Sequence, residues 1–149
     1  MYLDAQNLVS NAQAVTATAV STNTIDLSQA RDVGAGEELA FSVTVDESFA
    51  TATSVTIETI TSAAADLSSP TVISSTGALL IAQLTAGRRP IEALVPRSVL
   101  LAQPIGQRYL GLRYTIGGSN ATAGKFTAGI HALSFQDIGK NYPVGYTIT

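Results

Sequence analysis

Residues Tyr109–Phe135 read YLGLRYTIGGSNATAGKFTAGIHALSF. Leu110, Leu112, Tyr114 and Ile116 fall on every second position, with Gly111, Arg113 and Thr115 between them. After Gly117-Gly118-Ser119-Asn120 the alternation returns as Phe126, Ala128, Ile130 and Ala132 against Thr127, Gly129 and His131. Side chains of a strand point alternately to opposite faces, so a period of two means one buried face and one wetter face. The residues between the two runs are Gly, Ser, Asn and Thr, which tolerate turns. The stretch therefore predicts two strands joined as a β-hairpin through a loop of about six to eight residues.

The same pattern recurs on both sides. Leu39, Phe41, Val43 and Val45 alternate with Ala40, Ser42 and Thr44, and Asp46-Glu47-Ser48 is expected to turn the chain. Ser54–Thr61 is the next strand. Val55 and Ile57 share one parity but Ile60 takes the other, which predicts a bulge near Glu58-Thr59. Thr71–Ser74 and Leu79–Leu84 read as short strands split by Ser75-Thr76-Gly77. Ile91–Pro96 and Val99–Gln103 follow, each bounded by a proline, which belongs at strand ends or edges. Ile25–Leu27 is a further short strand, and Tyr146–Thr149 closes a sheet as a last edge strand. Roughly eight to ten short strands without a long amphipathic helix predict an all-β fold, a jelly-roll-like antiparallel β-sandwich of two sheets. Residues 1–24, rich in Ala, Thr, Val, Ser and Asn, read as an extended N-terminal arm, with a short helix possible before residue 14. Residues 25–149 read as the single sandwich domain.

Composition narrows the function classes. The chain has 149 residues, the size of one domain, with 46% hydrophobic, 6% aromatic and 13% charged residues. Burying a Leu, Ile, Val or Phe side chain gains about 1.5–3 kcal/mol, and ordering a residue costs about 1–2 kcal/mol of backbone entropy. A core of small side chains leaves a thin margin, to which self-association or docking would add. Cysteine is absent, so no disulfide framework or thiolate metal site is expected. No run of eighteen apolar residues occurs and no basic N-terminal segment precedes an apolar one, so neither a membrane span nor an export signal is expected.

The charge is divided. Residues 1–87 hold nine acids and one base, and residues 88–149 hold seven bases and two acids. Such a division either orients copies and partners or neutralises itself between adjacent strands. The basic half lacks a cluster interleaved with aromatics and the net charge is −3, which argues against direct nucleic-acid binding.

No residue pattern specifies a reaction centre. His131 is the only histidine, too few for a histidine-and-carboxylate metal cluster, and no nucleophile elbow accompanies it. It reads as a plain sheet-face residue. The acid pairs Glu37-Glu38 and Asp46-Glu47 flank a strand, where solvated loop charges sit, rather than forming a glycosidase or Ca²⁺ site. Gly34-Ala35-Gly36 lacks the lysine and following helix of a phosphate loop. No catalytic, cofactor-binding or metal-binding residue is expected, and the protein is expected not to be an enzyme. Partner binding is expected at Tyr2, Leu3, Leu8 and Val9, the large anchors of the arm, and at Arg88 and Arg89, the first basic pair of the second half.

Several strings in order carry a resemblance: Asp4-Ala5-Gln6-Asn7-Leu8, Ala12-Gln13-Ala14-Val15-Thr16, Thr24-Ile25-Asp26-Leu27, Tyr109-Leu110-Gly111-Leu112-Arg113-Tyr114 and Thr127-Ala128-Gly129-Ile130. Over residues 1 to about 135 the chain resembles the jelly-roll capsid cement (decoration) proteins of short-tailed bacteriophages, of the Bordetella podophage type. The resemblance implies a structural virion protein on the outer surface of the head, assembled in the host cytoplasm. Its implied partners are the major capsid protein, whose subunits it bridges against internal DNA pressure, and further copies of itself, with a dimer expected first. No cofactor, nucleic-acid or membrane partner is implied. The competing expectation is a tail- or fibre-type β-sandwich that binds a receptor or glycan. The absence of Trp and the scatter of five Tyr weigh against sugar stacking.

Overall fold

A computed structural model describes residues 5–27, 39–94 and 107–132. Nine strands run through them: β1 (Leu8–Ala14), β2 (Ala19–Val20), β3 (Ile25–Asp26), β4 (Leu39–Ala50), β5 (Ser54–Ser62), β6 (Thr71–Leu80), β7 (Ile91–Leu94), β8 (Tyr109–Gly117) and β9 (Ala123–Ala132). Two single 3₁₀ turns, Ala5–Asn7 and Ile81–Gln83, are the only helical pieces among the described residues.

The strands form two antiparallel sheets. The first has the order β1-β9-β4-β7 and the second β2-β8-β5-β6. β3 also pairs with β8, at Leu110 and Tyr109, just beyond where β2 pairs with Tyr114 and Arg113, so β2 and β3 fill one position. Eight positions in this interleaved order are jelly-roll topology. The fold is the expected all-β sandwich.

The inner faces are those that alternation picks out. Phe41, Val43, Val45, Val55, Ile57, Leu112, Tyr114, Phe126 and Ala128 are all fully buried in one core cluster. At its centre the ring of Phe126 lies 4.6 Å from that of Phe49 and 5.0 Å from that of Tyr114. Gly124 takes φ +139°, and a Cβ there would run into the Phe49 ring. Close packing of this kind makes the site intolerant of added volume.

The expected hairpin does not form. β8 pairs with β5, β2 and β3 in the second sheet, whereas β9 pairs with β4 and β1 in the first. Period-two alternation identifies a buried face but carries no information about the partner strand. The segment between them crosses from one sheet to the other, a gap of roughly 10 Å, with Gly118 at φ +84° against the Thr53 side chain.

The arm is a second correction. Residues 8–26 supply β1, β2 and β3, and Val9 and Val15 are in the core. Asp46-Glu47-Ser48 is not a turn but the middle of β4, where the register with β9 shifts on either side of Glu47. β6 is one strand rather than two. The expected bulge lies in β6, since β5 keeps an unbroken register with β8 from Ser54 to Ser62 while its pairing with β6 slips twice. Ile60 takes the opposite parity because the outer face of the second sheet is also covered there: Ile60 is fully buried, yet outside the main core cluster. The expected strands Val99–Gln103 and Tyr146–Thr149 lie outside the described residues.

Candidate docking surface

The sandwich has two long sides where the sheets meet, and they differ in how their edges are finished. On the side of β1, β2 and β3 the chain crosses between sheets while bonded to both. The Ser10 hydroxyl donates to Gln13 Oε1 at 2.7 Å. Its one proton is thereby used, so in the 2.8 Å contact with Tyr114 the phenol donates. Gln13 Nε2 donates to the Val20 carbonyl at 2.8 Å, and Thr22 N–H donates to Gln13 Oε1 at 3.0 Å. Asn23 satisfies the β1 edge directly, its backbone N–H on the Val9 carbonyl and its Nδ2 on the Leu8 carbonyl. Ser21 N–H donates to the Leu112 carbonyl, and Leu112 N–H donates back to Ser21 Oγ. Burial pushes the Tyr114 phenol pKa well up, so it stays a donor.

The opposite side is formed by β6, the edge of the second sheet, and by β7 with the preceding residues 84–90, the edge of the first. From Thr71 to Gly87 the sequence carries no charge. Leu80 is 56% exposed and Val72 38%. Register places both on the outer face of the second sheet, Leu80 opposite Ser54 and Val72 opposite Ile60. Natural edge strands are normally guarded by charges or proline. This one has two register slips and Gly77 at φ +70° but no charge.

Part of the divided charge is neutralised inside the chain, by three ion pairs among the described residues. Arg113 donates to Glu58 at 2.7 Å between β8 and β5, Lys125 meets Glu47 at 2.7 Å between β9 and β4, and Arg108 meets Asp26 at 2.6 Å beside β3. Hydrogen bonding to Asp26 and its charge raise the Arg108 pKa, and Glu47 does the same for Lys125. Each pair joins the acidic first part to the basic second part, the local neutralisation that adjacent strands allow. Arg88 and Arg89 are left exposed with no ion pair among the described residues. Arg88 is held at the β4 edge through its backbone: Val45 N–H donates to the Arg88 carbonyl and Gly87 N–H to the Val45 carbonyl.

The sequence-derived site residues thus part company. Arg88 and Arg89 are on the open side. Leu8 is half-buried on β1 at the sealed side, and Val9 is 2% exposed in the core, not available to a partner. Tyr2 and Leu3 lie outside the described residues, as do Glu37-Glu38 and Gly34-Ala35-Gly36. Asp46 accepts from the Thr127 hydroxyl at 2.6 Å and Glu47 is paired with Lys125, so these acids are tied to neighbouring strands. His131 is buried on the outer face of the first sheet opposite Ala40. Among the described residues no group of three or more His, Asp or Glu is placed to hold a metal ion. Sequence reasoning missed Leu80 and Val72, which look like core residues in a list of apolar positions. The available signal was the uncharged run around them.

The Bbp16 family model matches residues 9–130, which runs from the second residue of β1 to near the end of β9. No curated protein sequence matches the chain.

Proposed function

The chain belongs to the Bbp16 family, a Bordetella phage-associated family, and on that premise we propose that it is a capsid cement protein, a structural virion component rather than an enzyme. It docks on the outside of the phage head, bridges major capsid subunits and helps the shell resist DNA pressure, acting as a homo-oligomer. The observation that carries this reading is the contrast between the two sides. One is finished by the chain's own hydrogen bonds; the other keeps a long uncharged edge, exposed Leu80 and Val72, and Arg88 and Arg89, which have no ion pair among the described residues. A protein repeated over a lattice needs a stiff scaffold and modest contacts, because linked weak contacts act through effective concentration. The sequence resemblance to phage cement proteins points the same way.

The test is retention. Purified protein is mixed with emptied phage heads and, separately, passed over a glycan array. Sedimentation with heads and no glycan signal is expected. Glycan capture without head binding would replace this reading with the receptor-binding one, and capture by neither would defeat both.

A further inference from the structure

Segment 63–69 joins β5 to β6 across the outer face of the second sheet. Ala63, Ala65, Asp66, Ser68 and Ser69 are exposed, but Leu67 is 1% exposed. Its Cδ1 sits over Gly111, where a Cβ would be 2.5 Å away, and that same Cβ would be 2.9 Å from Ser21 Oγ. Ile60 lies opposite Gly111 on this face. Neither Leu67 nor Ile60 belongs to the main core cluster. One side chain therefore plugs a socket that is separate from the core and exists because residue 111 has no side chain.

Four hydrogen bonds hold the strap among the described residues, and its backbone is strained. Ser62 Oγ ties both of its feet, accepting from Ala64 N–H at 3.1 Å and donating to the Ser68 carbonyl at 2.5 Å. Leu67 N–H donates to the Ala64 carbonyl and Ser68 N–H to Asp66 Oδ1. Leu67 and Ser69 have φ +56° and +48°, left-handed conformations that cost a residue with a Cβ. Such conformations persist where the surrounding structure over-determines them, and they cluster at switch regions among other places.

We propose that segment 63–69 is a latch: Leu67 in the Gly111–Ser21–Ile60 socket holds it closed, and it opens as a unit without unfolding either sheet. Opening uncovers Ile60, which stands opposite Val72 on the same outer face, so the latch sets how much apolar surface that face presents. This inference does not depend on the capsid reading.

Hydrogen exchange on the full chain, resolved by residue, tests it. In the unmodified protein the amides of Ala64, Leu67 and Ser68 should exchange by local opening, about ten-fold or more faster than those of β5 and β8. Leu67→Ala empties the socket and Gly111→Ala fills it. Each should speed the strap amides by a further ten-fold or so while leaving the ratio among sheet amides unchanged. Strap and sheet amides that exchange together in the unmodified protein would overturn the proposal, and that result needs no variant to fold. So would variants that accelerate both sets equally.

Discussion

The two sides of this sandwich carry the same kind of element, a sheet edge, and finish it in opposite ways. On the β1–β3 side, polar residues of low hydrophobicity (Ser10, Gln13, Ser21, Asn23) close the edge with hydrogen bonds from one sheet to the other. On the β6–β7 side, apolar and small residues leave the edge uncovered among the described residues, with two cations beside it. The polar segment is thus the folding element and the apolar edge is the surface feature, the reverse of what hydropathy suggests. Satisfying backbone groups is obligatory, and short polar side chains do it where a sheet ends.

The comparison breaks most easily at β1. Deleting residues 1–13 removes Val9 from the core and the Ser10–Gln13 bonds with it. The truncated chain should show no cooperative unfolding transition by circular dichroism. A truncated protein that folds normally and only loses its partners would restore the view of this segment as an arm.

Gln13→Ala is a milder cut. It leaves the half-buried Val20 carbonyl without its donor and takes Gln13 Oε1 from the Ser10 hydroxyl, which keeps its contact with Tyr114, and from the exposed Thr22 amide. Orphaning partly buried partners costs about 1–3 kcal/mol, read as a lower urea midpoint with unchanged slope. A change within about 0.5 kcal/mol, typical of plain surface positions, would mean the side is not sealed by this network.

The open side should respond in the opposite sense. Leu80→Lys, and separately Arg88→Ala with Arg89→Ala, should alter unfolding free energy by no more than about 0.5 kcal/mol. Retention on phage heads should nonetheless fall with each. The double arginine variant should also lose part of the salt dependence, because exposed charges are screened by salt. Full retention in both variants would move the docking surface elsewhere.

The smallest effect concerns Asp66. Hydrogen bonds from Ser68 hold its carboxyl below the ordinary carboxylate range. A lowered folded-state pKa stabilises fully above the unfolded value, and the benefit is lost as pH falls through the folded one. The Ser68 amide should therefore keep its protection through neutral pH and lose it only in acid below the ordinary Asp range. Loss beginning near pH 6 would contradict the assignment.

How far the sequence reached follows from what alternation encodes. Leu39–Val45, Ser54–Ile57 and Leu110–Tyr114 were legible because large apolar residues alternate there with small or polar ones. Partner choice was not, so β8 and β9 read as a hairpin although they lie in different sheets. β2 and β3 are two residues each, too short to display a period. Ile60 broke the pattern because it is buried on the outer face, outside the main core cluster, and no local rule anticipates a second covered face. Of the candidate site, Arg88-Arg89 was visible as a basic pair; that it has no ion pair among the described residues required seeing Arg108, Arg113 and Lys125 find acids. Val9 was misassigned because an apolar residue near a terminus reads equally as anchor or core.

The most direct test is a hydrogen-exchange footprint of the chain bound to emptied heads, compared with the free chain. Protection should concentrate on β6 and residues 84–90, with the β1–β3 amides unchanged. Protection confined to the β1–β3 side, or none anywhere on the bound protein, would contradict the account.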